Sequence, residues 1–174
     1  MAKLSYTKLG LKANQENGVI FYNDQTIEVK SYLPVNDKLG LISNVINLSK
    51  DDNNFANPVK QDVYFAIEVI ENYTNISFTE KQKEDPHKLY DAFVSTGLYN
   101  KIVDMIPIDE ITRLRTGFQA SVKSEYDYRN SVKGILDTIS TDYSALDLDA
   151  SNIYNKIADP DNMVLLKDVL TKLG

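Results

Sequence analysis

Apolar positions along the chain follow two different repeats. Near the start, Val19-Ile20-Phe21-Tyr22 and Thr26-Ile27-Glu28-Val29 are rich in β-formers and flank Asn23-Asp24, two residues that tolerate turn conformations. This pattern predicts a β-hairpin. Before it, Leu4, Tyr6, Leu9 and Leu11 alternate roughly with polar residues and admit a third strand. Two strands alone are marginal in water, so the hairpin is expected to pack on the helices or on a partner.

After Leu33-Pro34 the repeat becomes helical. Asn36 is placed to cap a first helix carrying Leu39, Ile42, Val45 and Ile46, and the polar run Lys50-Asp51-Asp52-Asn53-Asn54 ends it. Asn57-Pro58 then supplies an N-cap followed by proline at the first helical position. The helix it opens, to about Asn72, bears Val59, Val63, Ile67 and Ile70 on one stripe, widened by Phe65, Val69 and Tyr73, and is expected to be the most buried of all. An extended link, Ile76-Ser77-Phe78, leads to the capping-box spacing of Thr79-Glu80-Lys81-Gln82. Asp85-Pro86 starts a helix with Leu89, Tyr90, Phe93 and Val94 facing inward, closed by Gly97. Leu98, Ile102, Val103 and Ile106 form a short helix that Pro107 stops.

Asp109 is read as the cap of a long helix. From Ile111 to about Ser140 there is no proline, and Ile111, Leu114, Phe118, Val122, Val132, Ile135, Leu136 and Ile139 keep an approximate helical register. Ile153 and Ile157 mark a further short helix, and Asp159-Pro160 opens a last one with Leu166, Val169, Leu170 and Leu173 on a stripe. The expected fold is therefore mainly α, a helical domain of about six to seven helices with one long helix and an N-terminal β-hairpin. Residues 1–34 form the hairpin region, 35–108 the helical core, and 109–174 the long helix and a C-terminal helical tail piece.

Charge and composition narrow the function classes. With 19 Lys and Arg against 25 Asp and Glu the net charge is −6, which disfavours nucleic acid and anionic membranes as partners, because both need clustered cations. The 174 residues hold no cysteine, so disulfides, thiolate metal sites and cysteine nucleophiles are excluded together. Met1-Ala2-Lys3-Leu4-Ser5-Tyr6 has no apolar signal core and no later stretch is long and apolar enough to span a bilayer, which points to the cytoplasm. Three N-glycosylation patterns, beginning at Asn47, Asn72 and Asn75, are then read as chance.

No constellation of catalytic residues emerges. His87 is the single histidine, which closes off two-histidine metal sites; just after Pro86 it reads as a surface residue, with general base as the alternative. An EF-hand counted from Asp51 puts Phe55 and Ala56 where a ligand and the turn glycine belong, so that run reads as a solvated loop. Asp147-Leu148-Asp149 reads as helix capping before it reads as a cation bracket. Glu68 and Glu71, at i and i+3, form a carboxylate pair on paper, but helix carboxylates usually face solvent. The seven glycines build no phosphate loop, and no cofactor is implied.

One stretch points to binding. The three arginines, Arg113, Arg115 and Arg129, all lie on the long helix, the last beside Tyr126 and Tyr128, and tyrosine and arginine are the side chains most enriched at binding hot spots. Between Val122 and Val132 the apolar register lapses into Lys123-Ser124-Glu125 and Asp127. Tyr126, Tyr128 and Arg129 are therefore the candidate protein-interface residues; the competing reading has them packing or pairing along an exposed helix of the monomer.

Several segments resemble one family. Gln25-Thr26-Ile27-Glu28-Val29-Lys30-Ser31-Tyr32-Leu33-Pro34, Tyr73-Thr74-Asn75-Ile76, Phe78-Thr79-Glu80-Lys81-Gln82, Lys88-Leu89-Tyr90-Asp91, Tyr128-Arg129-Asn130-Ser131-Val132 and Leu165-Leu166-Lys167-Asp168-Val169-Leu170 are similar to small proteins encoded by tailed bacteriophages of Gram-positive hosts. The resemblance implies a non-enzymatic virion or head or tail assembly protein. Its partners would be phage structural or assembly proteins or further copies of itself, met in the host cytoplasm during assembly or in the virion. It carries no assigned site residue. The alternative from another class is a phage-encoded inhibitor whose acidic surface binds a host enzyme or defence protein.

Overall fold

The computed structural model describes residues 3–12, 16–51 and 55–137. The helices expected around Ile153 and from Asp159-Pro160 onward, and the Asp147-Leu148-Asp149 pair, lie outside the described residues. The chain is mainly α with an N-terminal antiparallel hairpin. Its elements are α1 (Tyr6–Leu9), β1 (Asn17–Tyr22), β2 (Gln25–Lys30), α2 (Val35–Leu48), α3 (Pro58–Tyr73), α4 (Glu80–Lys83), α5 (Pro86–Ser95), α6 (Leu98–Met105) and α7 (Ile108–Arg129). It divides into two compact units, one up to Val122 and one from Lys123 onward.

The hairpin forms because Asn23 and Asp24 both accept positive φ, 48° and 59°, the condition for a two-residue turn whose twist matches the strands. In its register Ile20 faces Ile27, Val19 faces Glu28 and Phe21 faces Thr26. Ile20, Ile27 and Val29 enter the core with Leu33, Val45, Val69, Ile70 and Tyr73. The hairpin is thus held by the helices, as two strands require.

At the centre lies α3, with Val63, Phe65, Ala66, Ile67, Glu68, Val69, Ile70 and Tyr73 all buried. Its start is fixed locally. Asn57 accepts hydrogen bonds from the Val59 and Lys60 amides and Pro58 needs no amide partner there. Thr79 and Gln82 close both halves of the capping box on α4, and Asp85 accepts from the Lys88 amide at α5. Gly97 takes φ 72°, which lets α5 end and α6 begin within two residues. From α7, Ile111 and Leu114 join the same core, and the Phe118 ring lies 5.3 Å from that of Phe65.

Several expectations are corrected. Residues Tyr6–Leu9 make one helical turn with no buried residue, where a third strand was admitted. Asn36 and Asp109 are not caps: each is the second residue of its helix, and the carbonyls of Pro34 and Pro107 accept the first intrahelical bonds. Leu39 and Val59 sit on the stripes by spacing yet are exposed, because among the described residues neither helix meets a neighbour there. The inward residues of α5 are half-buried.

The long helix stops at Arg129. Ser131 ends it by donating its hydroxyl to the Tyr128 carbonyl at 2.6 Å and accepting from the Gly134 amide at 3.1 Å, the geometry of a cap on the next helical residues, 132–137. Gly134 is required at this junction, since a Cβ would run into the Tyr128 carbonyl. No helix among the described residues is long and apolar enough to cross a membrane.

Candidate interaction surface

The acidic groups of the core serve structure. Glu110, in the first turn of α7, is 6% exposed. Its Oε1 accepts from the Leu33 amide and from the Tyr73 hydroxyl, each at 2.9 Å, and its Oε2 pairs with Lys38 Nζ at 2.8 Å. The Lys38 ammonium also lies 4.4 Å from the centre of the Tyr32 ring. Burial alone would raise the Glu110 carboxyl, but Lys38, the Leu33 amide and the Tyr73 hydroxyl together outweigh it and hold it below the usual carboxylate range. The Tyr73 phenol is driven far above its ordinary value by burial and by that carboxylate, so it stays a donor. One carboxylate thereby ties the segment after the hairpin to α2, α3 and α7. The sequence reading missed it. The available signal was its spacing, four residues after Ile106 and four before Leu114, both buried.

Glu68 is also buried, contrary to the expectation that it faces solvent. Asn44 Nδ2 donates to its two oxygens at 3.3 and 3.4 Å and Asn72 Nδ2 donates at 3.1 Å. Burial dominates here and raises the Glu68 carboxyl, since lysine contributes least among its neighbours. Glu71 instead pairs with Lys83 at 3.0 Å. The two carboxylates therefore have separate partners. Glu68→Gln removes a desolvated charge while keeping the shape, so it is expected to change stability by less than about 1 kcal/mol in urea denaturation at neutral pH. A loss above about 3 kcal/mol would show that the ionised form is needed.

His87 is exposed, as expected. Among the described residues no group of three or more His, Asp or Glu is placed to hold a metal. A depression of about 410 Å³ opens between the hairpin turn and Asn75-Ile76, and its lining carries no charged side chain.

The candidate interface residues lie at the end of α7. Tyr126 is 65% exposed. Arg129 is half-buried and its Nη2 reaches Glu125 Oε1, one turn back, at 2.9 Å. The Tyr128 hydroxyl donates to Asp137 Oδ2, and Lys133 Nζ sits 5.3 Å from the centre of the Tyr128 ring and 2.7 Å from the same carboxylate. These contacts span the capped junction at Ser131. The hydrogen bonds that Lys133 donates to Asp137 and Tyr128 raise its ammonium, and those that Asp137 accepts from Lys133 and Tyr128 lower its carboxyl. Arg129 is thus braced within α7 and Tyr128 by the helical residues beyond the junction, while Tyr126 faces outward.

Beyond the junction Val132, Ile135 and Leu136 stand at i, i+3 and i+4, the spacing of one helix face. They belong to the apolar helical register read from the sequence, yet all three are exposed, Val132 to 76%. Compared with family models, with curated proteins and with solved structures, the chain matches none.

Proposed function

We propose that this protein is a non-enzymatic bacteriophage protein of the virion or of head or tail assembly, and that it works by binding other proteins. The observation that carries the binding reading is the exposed apolar stripe Val132, Ile135 and Leu136, close in sequence to Tyr126, Tyr128 and Arg129. Aromatic and guanidinium groups already held in place lose little side-chain freedom when they meet a partner. The phage setting rests on the family resemblance of the segments quoted above. Glu110 and Glu68, the buried carboxylates, are bound to structural donors, which accords with an assembly role.

Replacing Tyr126 and Arg129 by alanine is expected to weaken partner binding by roughly 2–4 kcal/mol in total, with the fold intact. Capture of partners from phage-producing cells followed by mass spectrometry reads the loss. Recovery of phage structural proteins by the wild type, and their loss with the double variant, supports the proposal. A double variant that binds normally but no longer melts cooperatively would make these side chains intramolecular struts. Capture of a host enzyme alone would favour an inhibitor instead.

A further inference from the structure

The two edges of the hairpin differ. On the β2 side the chain returns: Val29 bridges to Thr74, the Glu28 amide donates to Asn75 Oδ1 at 3.1 Å, and Asn75 Nδ2 donates to the Thr26 carbonyl at 3.2 Å. Thr26 and Glu28 therefore turn their backbone groups away from β1. In an antiparallel pair, facing residues either bond each other or both point outward. Phe21 faces Thr26 and Val19 faces Glu28, so Val19 and Phe21 present their amides and carbonyls to the outer edge of β1. Among the described residues nothing accepts or donates there, and the sheet has two strands.

The usual devices that blunt such an edge are missing. Asn17-Gly18-Val19-Ile20-Phe21-Tyr22 contains no charge and no proline. Val19 and Phe21 are exposed, Phe21 to 80%. The helix beneath, α6, meets the opposite face, where Met105 packs against Gly18 and Lys101 lies 6.0 Å from the Tyr22 ring centre. Among the described residues the edge is left open.

We propose that this edge pairs with β1 of a second copy of the chain, giving a four-stranded antiparallel sheet in the order β2, β1, β1, β2 about a two-fold axis. The strand is complementary to itself. With the axis at Ile20, Val19 of each copy stands opposite Phe21 of the other, and their outward amides and carbonyls bond reciprocally. An uncharged edge has nothing with which to select a charged peptide, whereas a second β1 brings apolar Val19 and Phe21 against the exposed Phe21 and Val19 of the first. Because Thr74 and Asn75 close the β2 edge, pairing stops at two copies and does not propagate into a fibre. The inference is independent of the phage reading and of the Tyr126 surface.

A six-residue edge buries less than a standard interface, so the dimer is expected to dissociate in the micromolar range or above. Sedimentation of the full chain from about 5 µM to about 1 mM should show a monomer–dimer equilibrium with no larger species. Val19→Pro deletes an amide that β2 does not use, and Phe21→Lys puts like charges across the axis. Each is expected to raise the dissociation constant at least about tenfold while leaving the melting transition of the dilute monomer in place. Should Val19→Pro fail to fold, Phe21→Lys, which leaves the backbone unaltered, carries the test. Tyr126→Ala with Arg129→Ala should leave self-association unchanged, which separates this edge from the surface proposed above. A wild type that stays monomeric throughout, a dimer indifferent to both edge variants, or a hairpin that binds only a different protein would overturn the proposal.

Discussion

Glu110→Ala is expected to lower the free energy of unfolding by about 3–5 kcal/mol at neutral pH, read from the shift of the urea midpoint at constant slope. Three donors lose their acceptor at once. The Leu33 amide and the Tyr73 hydroxyl are left in the core, and Lys38 retains a charge with no counterpart 2.8 Å away. Glu110→Gln keeps an acceptor for the Leu33 amide and the Tyr73 hydroxyl but loses the charge and sets an amide NH2 against Lys38, so its cost is expected to be about half. A loss below about 1 kcal/mol for the alanine variant would mean that the cluster is dispensable.

The same carboxylate sets an acid limb. Its folded pKa is depressed below the ordinary value of 4.5, so its stabilisation is complete above that pH and is lost as pH falls through the folded value. Glu68 works in the opposite sense. Its folded pKa is raised, so its contribution is present below 4.5 and is lost as pH rises through the folded value. Glu110→Gln should therefore flatten the loss of stability below about pH 4.5, and Glu68→Gln should instead flatten a change above it. Chemical denaturation across pH 3 to 7 distinguishes the two variants.

Ile102→Ala is expected to cost about 2–5 kcal/mol, through lost transfer free energy and the cavity left behind. Ile102 has no exposed surface, and α6 has only one other buried residue, Leu98, so the helix has little else to hold it. Since α6 touches α3, α5 and β1, its loosening should appear as faster amide exchange in Leu98–Met105 and in β1 before global unfolding. A cost under about 1 kcal/mol, with exchange unchanged, would mean that the surrounding residues collapse into the space.

The reading of α7 shows where periodicity alone fails. The helix expected from Ile111 to about Ser140 crosses Asn130-Ser131, inside the stretch from Val122 to Val132 where the apolar register lapses, and no proline marks a break there. The break comes from one side chain, Ser131, whose hydroxyl competes for backbone groups within three residues on either side. Of the three proposed interface residues Tyr126 is exposed, the Tyr128 hydroxyl bonds Asp137 across the junction, and Arg129 pairs with Glu125 one turn back on α7.

What the sequence determined by itself is what local interactions decide. Asn23-Asp24 bends the hairpin, Asn57, Thr79 and Asp85 start their helices by bonding amides two or three residues ahead, and the crowded stripe of α3 places it at the centre. Such contacts form within a turn or two of chain, so residue type and spacing are enough to reveal them. Tertiary structure decided the rest: that Glu110 is the buried hub, that Glu68 turns inward, that Leu39, Val59 and Val132 face outward, and that Asn75 closes one hairpin edge. Leu33, Lys38 and Tyr73 meet Glu110 across separations of 77, 72 and 37 residues. A helix repeat states which residues share a face, but whether a neighbour covers that face depends on how distant segments pack, and no local pattern encodes it.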